Sequence, residues 1–352
     1  MKRVLVLAKS FPHASHNYIN NDVEYLASRA EILVLSLNQP RSPFYSTVPF
    51  DYFDNRKQLM EQARVFKPDI VLGWMLPNHA FARHVAENLG VPFILKLHTS
   101  DYNAPKRGWS SLARRLHTNC MSEEKLSKAY RATHRSIAKT ANSKYLQGVF
   151  CLPGFREVFA PFFPEKKLFN MQPRFFYDKF HDEGPNGDRI LIVGSLLQGR
   201  STRFAFGDVI AGAGCPVDWY PVSTPGYMWT SVPNRPPNLH LQRYVPPDAM
   251  PPIYKRYKAM LLAGTGKFSR GLSLSVLEGQ AAGVQTIAPS LRPDFDDFIT
   301  KGGGYLFNDI SEIPDLLKKI PDPAHRAMGF RNARDYDMQG AGDEFALAGL
   351  SL

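Results

Sequence analysis

The chain has 352 residues, of which 44% are hydrophobic, and its formal net charge is +11. The length favours two domains with substantial cores, and no stretch reaches the ~20 apolar residues that a membrane-spanning helix needs. Cys120, Cys151 and Cys215 are widely spaced and form no C-x-x-C pair, which argues against a disulfide framework and a structural zinc site. We read no signal peptide and expect a cytoplasmic protein, peripheral at the inner membrane face where it contacts a membrane.

The first half of the chain alternates short apolar runs with segments of helix length. Runs that are apolar on both faces predict parallel strands in a βαβ sheet. The predicted strands are RVLVLA (3–8), EILVLSL (31–37), DIVLGW (69–74) and VPFILKLH (91–98). Residues 150–187 are rich in proline, glycine and aromatic residues without a clear period, and we interpret them as the connection between two domains.

The alternation restarts after this connection. The later predicted strands are RILIVGS (189–195), VDWYPV (217–222), AMLLAG (259–264) and VQTIAP (284–289). The whole pattern predicts an α/β protein with two Rossmann-like doubly wound domains facing a central cleft. We place the domains at 1–165 and 166–330, and we expect a C-terminal helix in 331–352 to pack back on the first domain.

Polar residues follow three of the predicted strands. Open parallel sheets bind ligands at the carboxyl ends of their strands. Candidate site residues therefore lie in 98–101, from His98 to Asp101, in 195–200, from Ser195 to Arg200, and in 267–273, from Lys267 to Ser273.

The stretch KFSRGLSLSVLEGQAAGVQTIAP (267–289) carries the most informative pattern. Gly271 permits close approach of the backbone, and the N–H groups that begin the following helix can receive a phosphate. Glu278, about two turns further on, can accept hydrogen bonds from a pair of hydroxyls such as a ribose diol. Taken alone, the pattern is equally compatible with a surface loop followed by a packed helix.

Several segments, which occur along the chain in the order expected for the family, resemble the retaining, nucleotide-sugar-dependent glycosyltransferases of family four, which have the GT-B fold. RGLSLSVLE (270–278) aligns with the E-G-x(6)-E motif of that family, and ILIVGSLLQGR (190–200) is similar to its phosphate loop. VPFILKLHTSDY (91–102) resembles the strand that ends in H-x-x-D. Further similar segments are SFPHASHNYINNDVEYLAS (10–28), NLHLQRYVPPDAMPPIYKRYKAMLLAG (238–264) and KGGGYLFNDISEIPDLLKKI (301–320).

The resemblance implies a nucleoside-diphosphate sugar as co-substrate and no other cofactor. His98 would bond the sugar or its leaving group, and Asp101 would orient His98 or the acceptor. In this family the departing phosphate helps to deprotonate the acceptor, so neither a dedicated base nor a metal is expected. The residues assigned to the donor are Ser195, Arg200, Tyr244, Lys267, Gly271, Leu272, Ser273 and Glu278, and those assigned to the acceptor side are His13, His16, Asn17 and Tyr102.

Acidic residues of the type that binds metal ions occur in DFDD (294–297). We interpret Asp294 and Asp296 as a helix N-cap, because Pro293 precedes them at a loop-to-helix boundary; metal binding is the minor alternative.

Two positions depart from the family pattern. Arg270 stands where the first carboxylate of the motif is usual, and Ser195 stands where the phosphate loop usually has Arg. Arg270 would add a cation near the phosphates or contact an acidic sugar, and it joins His98, Asp101 and Arg200 as a catalytic candidate. The departures also leave open a catalytically inactive GT-B protein that only binds a nucleotide.

A basic segment, 106–144, contains ten Lys or Arg residues against Glu123 and Glu124. In a helix, five of these cations fall on one stripe, opposite Leu126, Tyr130 and Ile137. A solvated charged face is the simple alternative. This basic stripe consists of Lys125, Lys128, Arg131, Arg135 and Lys139.

The basic stripe bears on the acceptor. We favour sugar transfer to a hydroxyl of a polyanionic or membrane-associated glycan or lipid, with the stripe on an anionic surface. The alternative partner is nucleic acid, with transfer to hydroxylated bases of DNA. We infer no obligate protein partner.

Overall fold

The computed structural model describes residues 1–13, 16–38, 46, 48–98, 101, 123–194, 207–220, 236–243, 245–262, 272–340 and 346; for 123–130 and 207–208 it describes the backbone alone. The chain divides into two compact units, Met1–Gln172 with Ala341–Leu352, and Pro173–Gly340.

The first unit is built on a seven-stranded sheet. Its strands are β1 (Arg3–Ser10), β2 (Glu31–Asn38), β3 (Phe50–Tyr52), β4 (Ile70–Trp74), β5 (Phe93–Lys96), β6 (Leu146–Cys151) and β7 (Leu168–Asn170). They are ordered β3-β2-β1-β4-β5-β6-β7, and every neighbouring pair is parallel. Residues 4–8 of β1 are all buried, as expected for a central strand covered on both faces.

Helices connect these strands, because parallel neighbours require crossovers. They are α1 (Asn17–Ala27), α2 (Arg56–Phe66), α3 (His79–Leu89), α4 (Glu123–Ala141) and α5 (Arg156–Phe159). Local sequence sets their ends: the Asn55 side chain accepts the Gln58 N–H at the start of α2, and Gly90, with φ of 71°, ends α3 in the left-handed conformation that glycine adopts without strain.

The second unit is built on a six-stranded parallel sheet. Its strands are β8 (Arg189–Val193), β9 (Val217–Tyr220), β10 (Leu239–Leu241), β11 (Tyr257–Leu261), β12 (Gln285–Pro289) and β13 (Tyr305–Phe307), ordered β10-β9-β8-β11-β12-β13. Its helices are α6 (Tyr177–Phe180), α7 (Gly207–Ala211), α8 (Pro251–Tyr254), α9 (Leu274–Ala281), α10 (Pro293–Lys301), α11 (Ile313–Lys318) and α12 (Pro323–Asp335).

Successive strand residues of the second sheet enter two separate cores. Ile190 and Ile192 belong to one core with residues of α7 and α11, whereas Leu191 belongs to the other with residues of α8, α9, α10 and α12. Ala259 and Met260 of β11 divide in the same way. Because side chains alternate along a strand, the sheet is covered on both faces, which confirms the predicted doubly wound α/β architecture.

All eight strands predicted from apolar runs are present, but the proposed connection 150–187 is not one throughout. Strand β6 ends inside it, and β7 pairs with β6 as an edge strand of the first sheet. The boundary between the two compact units therefore falls after Gln172 rather than after residue 165. Three-residue strands such as β7 are too short to show an alternation in the sequence.

The predicted C-terminal segment 331–352 is divided as well. Residues 331–340 belong to the second unit, where α12 packs against α9. Of residues 341–352, only Ala346 is described, so packing of this segment on the first domain stays a prediction. Across the described part of the chain, no helix is both long and apolar enough to cross a bilayer.

Candidate functional site

The order in which strands are added to the first sheet reverses between β1 and β4. From β1 the chain proceeds to β2 and β3 on one side and later to β4, β5, β6 and β7 on the other. Ligand sites of open α/β sheets lie at the carboxyl ends of the strands beside such a switch point. His13, His16 and Asn17 follow β1, and His98 and Asp101 follow β5.

Ring contacts join the residues that follow β1 to those that follow β5. The Tyr18 ring of α1 stacks on the His98 imidazole, with centroids 3.9 Å apart and planes 5° apart. Tyr18 also contacts His16, at 5.6 Å, and Trp74 at the end of β4, at 5.2 Å. The His13 and His16 rings are stacked at 4.3 Å. The structure thus brings three predicted residues, His13, His16 and His98, into one aromatic cluster around Tyr18.

The imidazoles of this cluster are neutral near pH 7. Burial lowers the pKa of His98 to about 4 and is also the main cause that lowers the pKa of His16 to about 3. Burial, followed by the charge of Lys9, lowers the pKa of His13. A neutral imidazole can donate one hydrogen bond and accept another, so the cluster is suited to hydroxyl groups, which do both.

Asp101 is buried and bonds to backbone rather than to the His98 ring. Its carboxylate accepts the His98 N–H at 2.8 Å, and the Asp101 N–H donates to the His98 carbonyl at 2.8 Å. A further hydrogen bond comes from the Leu76 N–H; burial outweighs both bonds and raises the pKa of Asp101 to about 7. Asp101 therefore fixes the backbone that carries His98 and ties it to the loop after β4.

That loop begins with backbone strain. Met75, directly after β4, has a positive φ of 66°, a backbone conformation that costs a residue other than glycine of the order of 1 kcal/mol or more. Its N–H donates to the Lys96 carbonyl, and its sulfur accepts a hydrogen bond from the Tyr18 hydroxyl at 3.8 Å. The strained residue thus lies against the aromatic cluster.

Asn17 begins α1 beside these rings. Its side-chain oxygen is buried and has no hydrogen-bond partner among the described residues. A buried acceptor without a donor costs free energy, and a ligand hydroxyl is one group that satisfies it.

A buried ion pair lies one helical turn further along α1. Lys96 Nζ, at the end of β5, is 2.6 Å from Asp22 Oδ2, and the two side chains are 2% and 5% exposed. The Lys96 ammonium also lies 5.3 Å from the centroid of the Trp74 ring. The apolar run 91–98 gave no indication that its lysine is buried and paired.

In the second sheet, the order in which strands are added reverses between β8 and β11. Gly194 follows β8 with φ of 144°, and its carbonyl accepts the Trp219 indole N–H at 3.2 Å. Leu272 is buried, and Ser273 is the extended N-cap of α9, with its hydroxyl 2.8 Å from that of Ser275. Some predicted residues lie outside the described part of the chain. They are the donor candidates Ser195, Arg200, Tyr244, Lys267 and Gly271, the catalytic candidate Arg270 and the acceptor candidate Tyr102.

Glu278 lies on α9 and is 6% exposed. Its Oε2 accepts the Tyr254 hydroxyl at 2.7 Å. Burial raises the pKa of Glu278 to about 7, although the Tyr254 bond opposes that rise. A carboxylate offers about four acceptor positions, so the bond with Tyr254 leaves capacity for other hydroxyls.

The acidic residues of 294–297 are held by protein groups. Asp294 pairs with Arg292 at 2.6 Å, and Asp296 accepts the Ser290 hydroxyl and the Leu291 N–H. The predicted N-cap assignment is wrong, because Arg292 is the N-cap and Pro293 is the first helical residue. No group of three or more His, Cys, Asp or Glu residues suited to a metal occurs within the described residues.

The basic stripe lies on α4, which begins at Glu123. Arg131, Arg135 and Lys139 are exposed, whereas Ile137 is buried on the opposite face. The side chains of Lys125 and Lys128 lie outside the described residues.

No protein-family model matches the sequence, and no curated protein sequence matches it. Solved structures do match over nearly the whole chain. The Anabaena Alr3699/HepE structure in complex with UDP-glucose has a TM-score of 0.69 at 13% identity, covering 99% of this chain and 100% of that one. This chain has the GT-B fold.

Two further solved structures share this fold. A glycosyltransferase from Rickettsia africae has a TM-score of 0.65 at 11% identity and covers 98% of each chain. Sucrose-phosphate synthase from Thermosynechococcus elongatus has a TM-score of 0.61 at 11% identity, covering 99% of this chain and 96% of the other. The GT-B fold predicted from the ordered motifs is therefore confirmed.

Two residues that contact the candidates were missed by sequence reasoning. Tyr18 directly follows the acceptor candidate Asn17 in the first turn of α1. This proximity in the sequence was a signal that Tyr18 lies near the acceptor candidates. Tyr254 lies 24 residues before Glu278, and nothing in that spacing indicates the contact.

Proposed function

We propose that the chain is a glycosyltransferase that moves a sugar from a nucleoside-diphosphate sugar to an acceptor hydroxyl. The observation that carries the proposal is the position of the candidates: within a GT-B fold, they follow β1, β5 and β11, which lie at the switch point of their sheet or one strand away from it. The neighbour solved with UDP-glucose supports the donor class, and the resemblance to family four supports a retaining reaction.

In the proposed reaction, the first unit supplies the groups around the sugar and the acceptor. His98, neutral near pH 7, hydrogen bonds a hydroxyl of the transferred sugar or its leaving oxygen. Asp101 holds the backbone of His98 in place, and Asn17 accepts a hydrogen bond from the acceptor. His13 and His16 line the same side.

The second unit binds the donor nucleotide in this proposal. Glu278 accepts hydrogen bonds from the ribose hydroxyls, and its bond with Tyr254 holds the carboxylate in one orientation. Backbone N–H groups at Leu272 and Ser273 and the cations Arg200 and Lys267 bind the diphosphate. Positive charge near the leaving oxygen stabilises the negative charge that develops there, which is the main source of rate enhancement in such sites. The proposed reaction needs no metal.

A donor panel tests this function. We expect one class of nucleoside diphosphate and its sugars to raise the melting temperature, since a ligand that binds only the folded state stabilises it. Transfer should then be detected by mass spectrometry with that donor, persist in EDTA, and give a product with the anomeric configuration of the donor by NMR. His98→Ala and Glu278→Ala should abolish transfer, whereas the exposed His240 provides the control His240→Ala. Nucleotide binding without turnover on any acceptor would instead support an inactive binding protein.

For the acceptor, we propose a polyanionic or membrane-associated glycan or lipid. The exposed cations Arg131, Arg135 and Lys139 of α4 support this, because cations near an anionic surface each add about 1 kcal/mol of binding free energy. Flotation with vesicles that contain anionic phospholipid should carry the protein upward at low salt. Salt-sensitive binding to DNA without any flotation would overturn the membrane acceptor and favour transfer to DNA bases.

A further inference from the structure

Two contacts join helix α1 to the end of β5, one at each end of a single helical turn. Tyr18 stacks on His98, and Asp22 pairs with Lys96. Tyr18 and Asp22 are four residues apart on α1, which is about 6 Å along a helix, and Lys96 and His98 are two residues apart, which is about 6.6 Å along a strand. The two spacings match, so both contacts form together without distortion of either element.

The strand direction continues from Lys96 to His98. The Leu97 N–H still donates to the Phe150 carbonyl of β6, so the backbone stays in register with the sheet after β5 ends. Side chains two residues apart on an extended backbone point to the same face. His98 and Lys96 therefore face α1 together.

We propose that Tyr18, Asp22 and Lys96 are positioning residues that fix the His98 imidazole for glycosyl transfer. This inference rests on the proposed function, in which His98 contacts the sugar. The ion pair holds α1 at one height and distance from β5, and the Tyr18 ring, carried on the same helix face, sets the plane of the imidazole. Among the described residues, Asp101 bonds the backbone of His98 and Tyr18 stacks on its ring, so we assign the orientation of the ring plane to Tyr18.

Variants of Tyr18 separate this role from simple packing. Tyr18→Phe keeps the ring and loses only the hydroxyl bond to Met75, whereas Tyr18→Met fills similar space with a flexible chain. We expect Tyr18→Phe to keep kcat within about twofold. Tyr18→Met should lower kcat ten- to a hundredfold, because small misplacement of a reacting group is costly. The KM for the donor should change little in both variants.

An NMR measurement tests the stack without reference to activity. The carbon-bound protons of His98, assigned with His98→Gln, should show upfield shifts from the stacked Tyr18 ring. Tyr18→Phe should keep those shifts, and Tyr18→Met should remove them. Shifts that stay unchanged in Tyr18→Met overturn the proposal, as does a normal kcat after the shifts are lost. If the natural protein transfers no sugar, the proposed function fails, while the shifts still decide whether Tyr18 orients the imidazole.

The ion pair is tested with both partners replaced. Asp22→Leu together with Lys96→Met removes both charges of the ion pair at once, a change that is often neutral for stability. We expect a folded protein with kcat lowered about tenfold and the same KM for the donor. Unchanged kcat and unchanged His98 shifts in this double variant would overturn the role of the pair.

Discussion

Glu278→Gln should make the protein more stable at pH 8 while it weakens donor binding. Glu278 is 6% exposed, and among the described residues its carboxyl group has one hydrogen-bond donor, the Tyr254 hydroxyl at 2.7 Å. Burial penalises the ionised form, and a single neutral donor does not compensate for the lost hydration. Gln has nearly the same shape and can still accept the Tyr254 hydroxyl, but it has no proton to lose.

The size of the effect follows from the pKa. Burial raises the pKa of Glu278 from an ordinary 4.5 to about 7. Between these values the folded protein keeps a proton that the unfolded chain has released, so stability falls as pH rises. At about 1.4 kcal/mol per pH unit, the cost above pH 7 is roughly 3 kcal/mol. For a unit of the size of Pro173–Gly340, that corresponds to a change of about 6–12 °C in melting temperature.

Differential scanning calorimetry of both proteins at pH 5 and pH 8 measures this. The melting temperatures should nearly coincide at pH 5, and that of Glu278→Gln should be higher at pH 8. Tyr254→Phe removes the bond that favours the carboxylate and should therefore lose more stability at pH 8 than at pH 5. An advantage of Glu278→Gln that is equal at both pH values would refute the reasoning, because a neutral packing effect does not depend on proton release.

Three further changes have expected outcomes. Lys96→Met removes the buried ion-pair partner of Asp22, so urea denaturation should show a loss of about 3–5 kcal/mol. Lys57→Met changes an exposed residue and should cost less than about 1 kcal/mol. Gly303 has φ of 67°, and a Cβ added there would meet a backbone carbonyl of α12, so Gly303→Ala should lower the free energy of unfolding by at least about 3 kcal/mol. Gly214 has a similar φ but open space around it, so Gly214→Ala should lower it by about 1 kcal/mol. Changing Arg131, Arg135 and Lys139 together to Gln should weaken vesicle binding about 100-fold. Changing the exposed Lys301, Lys318 and Lys319 to Gln should not weaken it. Equal losses in the two triple variants would contradict a role for the cations of α4.

The long strands were predictable because their physics is local. Strands β1, β2 and β4 are buried on both faces, and burial on both faces requires continuous apolar runs that stand out in the sequence. The edge strands β3 and β7 have three residues each, which is too few to show an alternation in the sequence. Their pairing is decided by the sheet that they join rather than by their own composition.

The candidate site shows the same division. Residues that directly follow central strands, such as His98, were predictable from the topology of parallel sheets. Contacts between elements were not: Tyr18 and His98 are 80 positions apart in the sequence, and Lys96 pairs with Asp22 across 74 positions. No local pattern in the sequence connects such positions, so the positioning contacts emerge only when the helices are placed on the sheets.

Both candidate sites contain groups that weaken the fold that carries them. Asp101 and Glu278 both have a pKa raised to about 7 by burial, and Met75 has a strained backbone with a positive φ. Each lies next to the carboxyl end of a sheet or at the helix that follows it, and each costs stability near pH 7. The extended cores on both faces of the sheets supply stability at positions where no ligand is expected. Unfavourable groups of this kind persist where binding or catalysis requires them. Their position at the carboxyl ends of the strands therefore supports binding or catalytic sites there rather than packing alone.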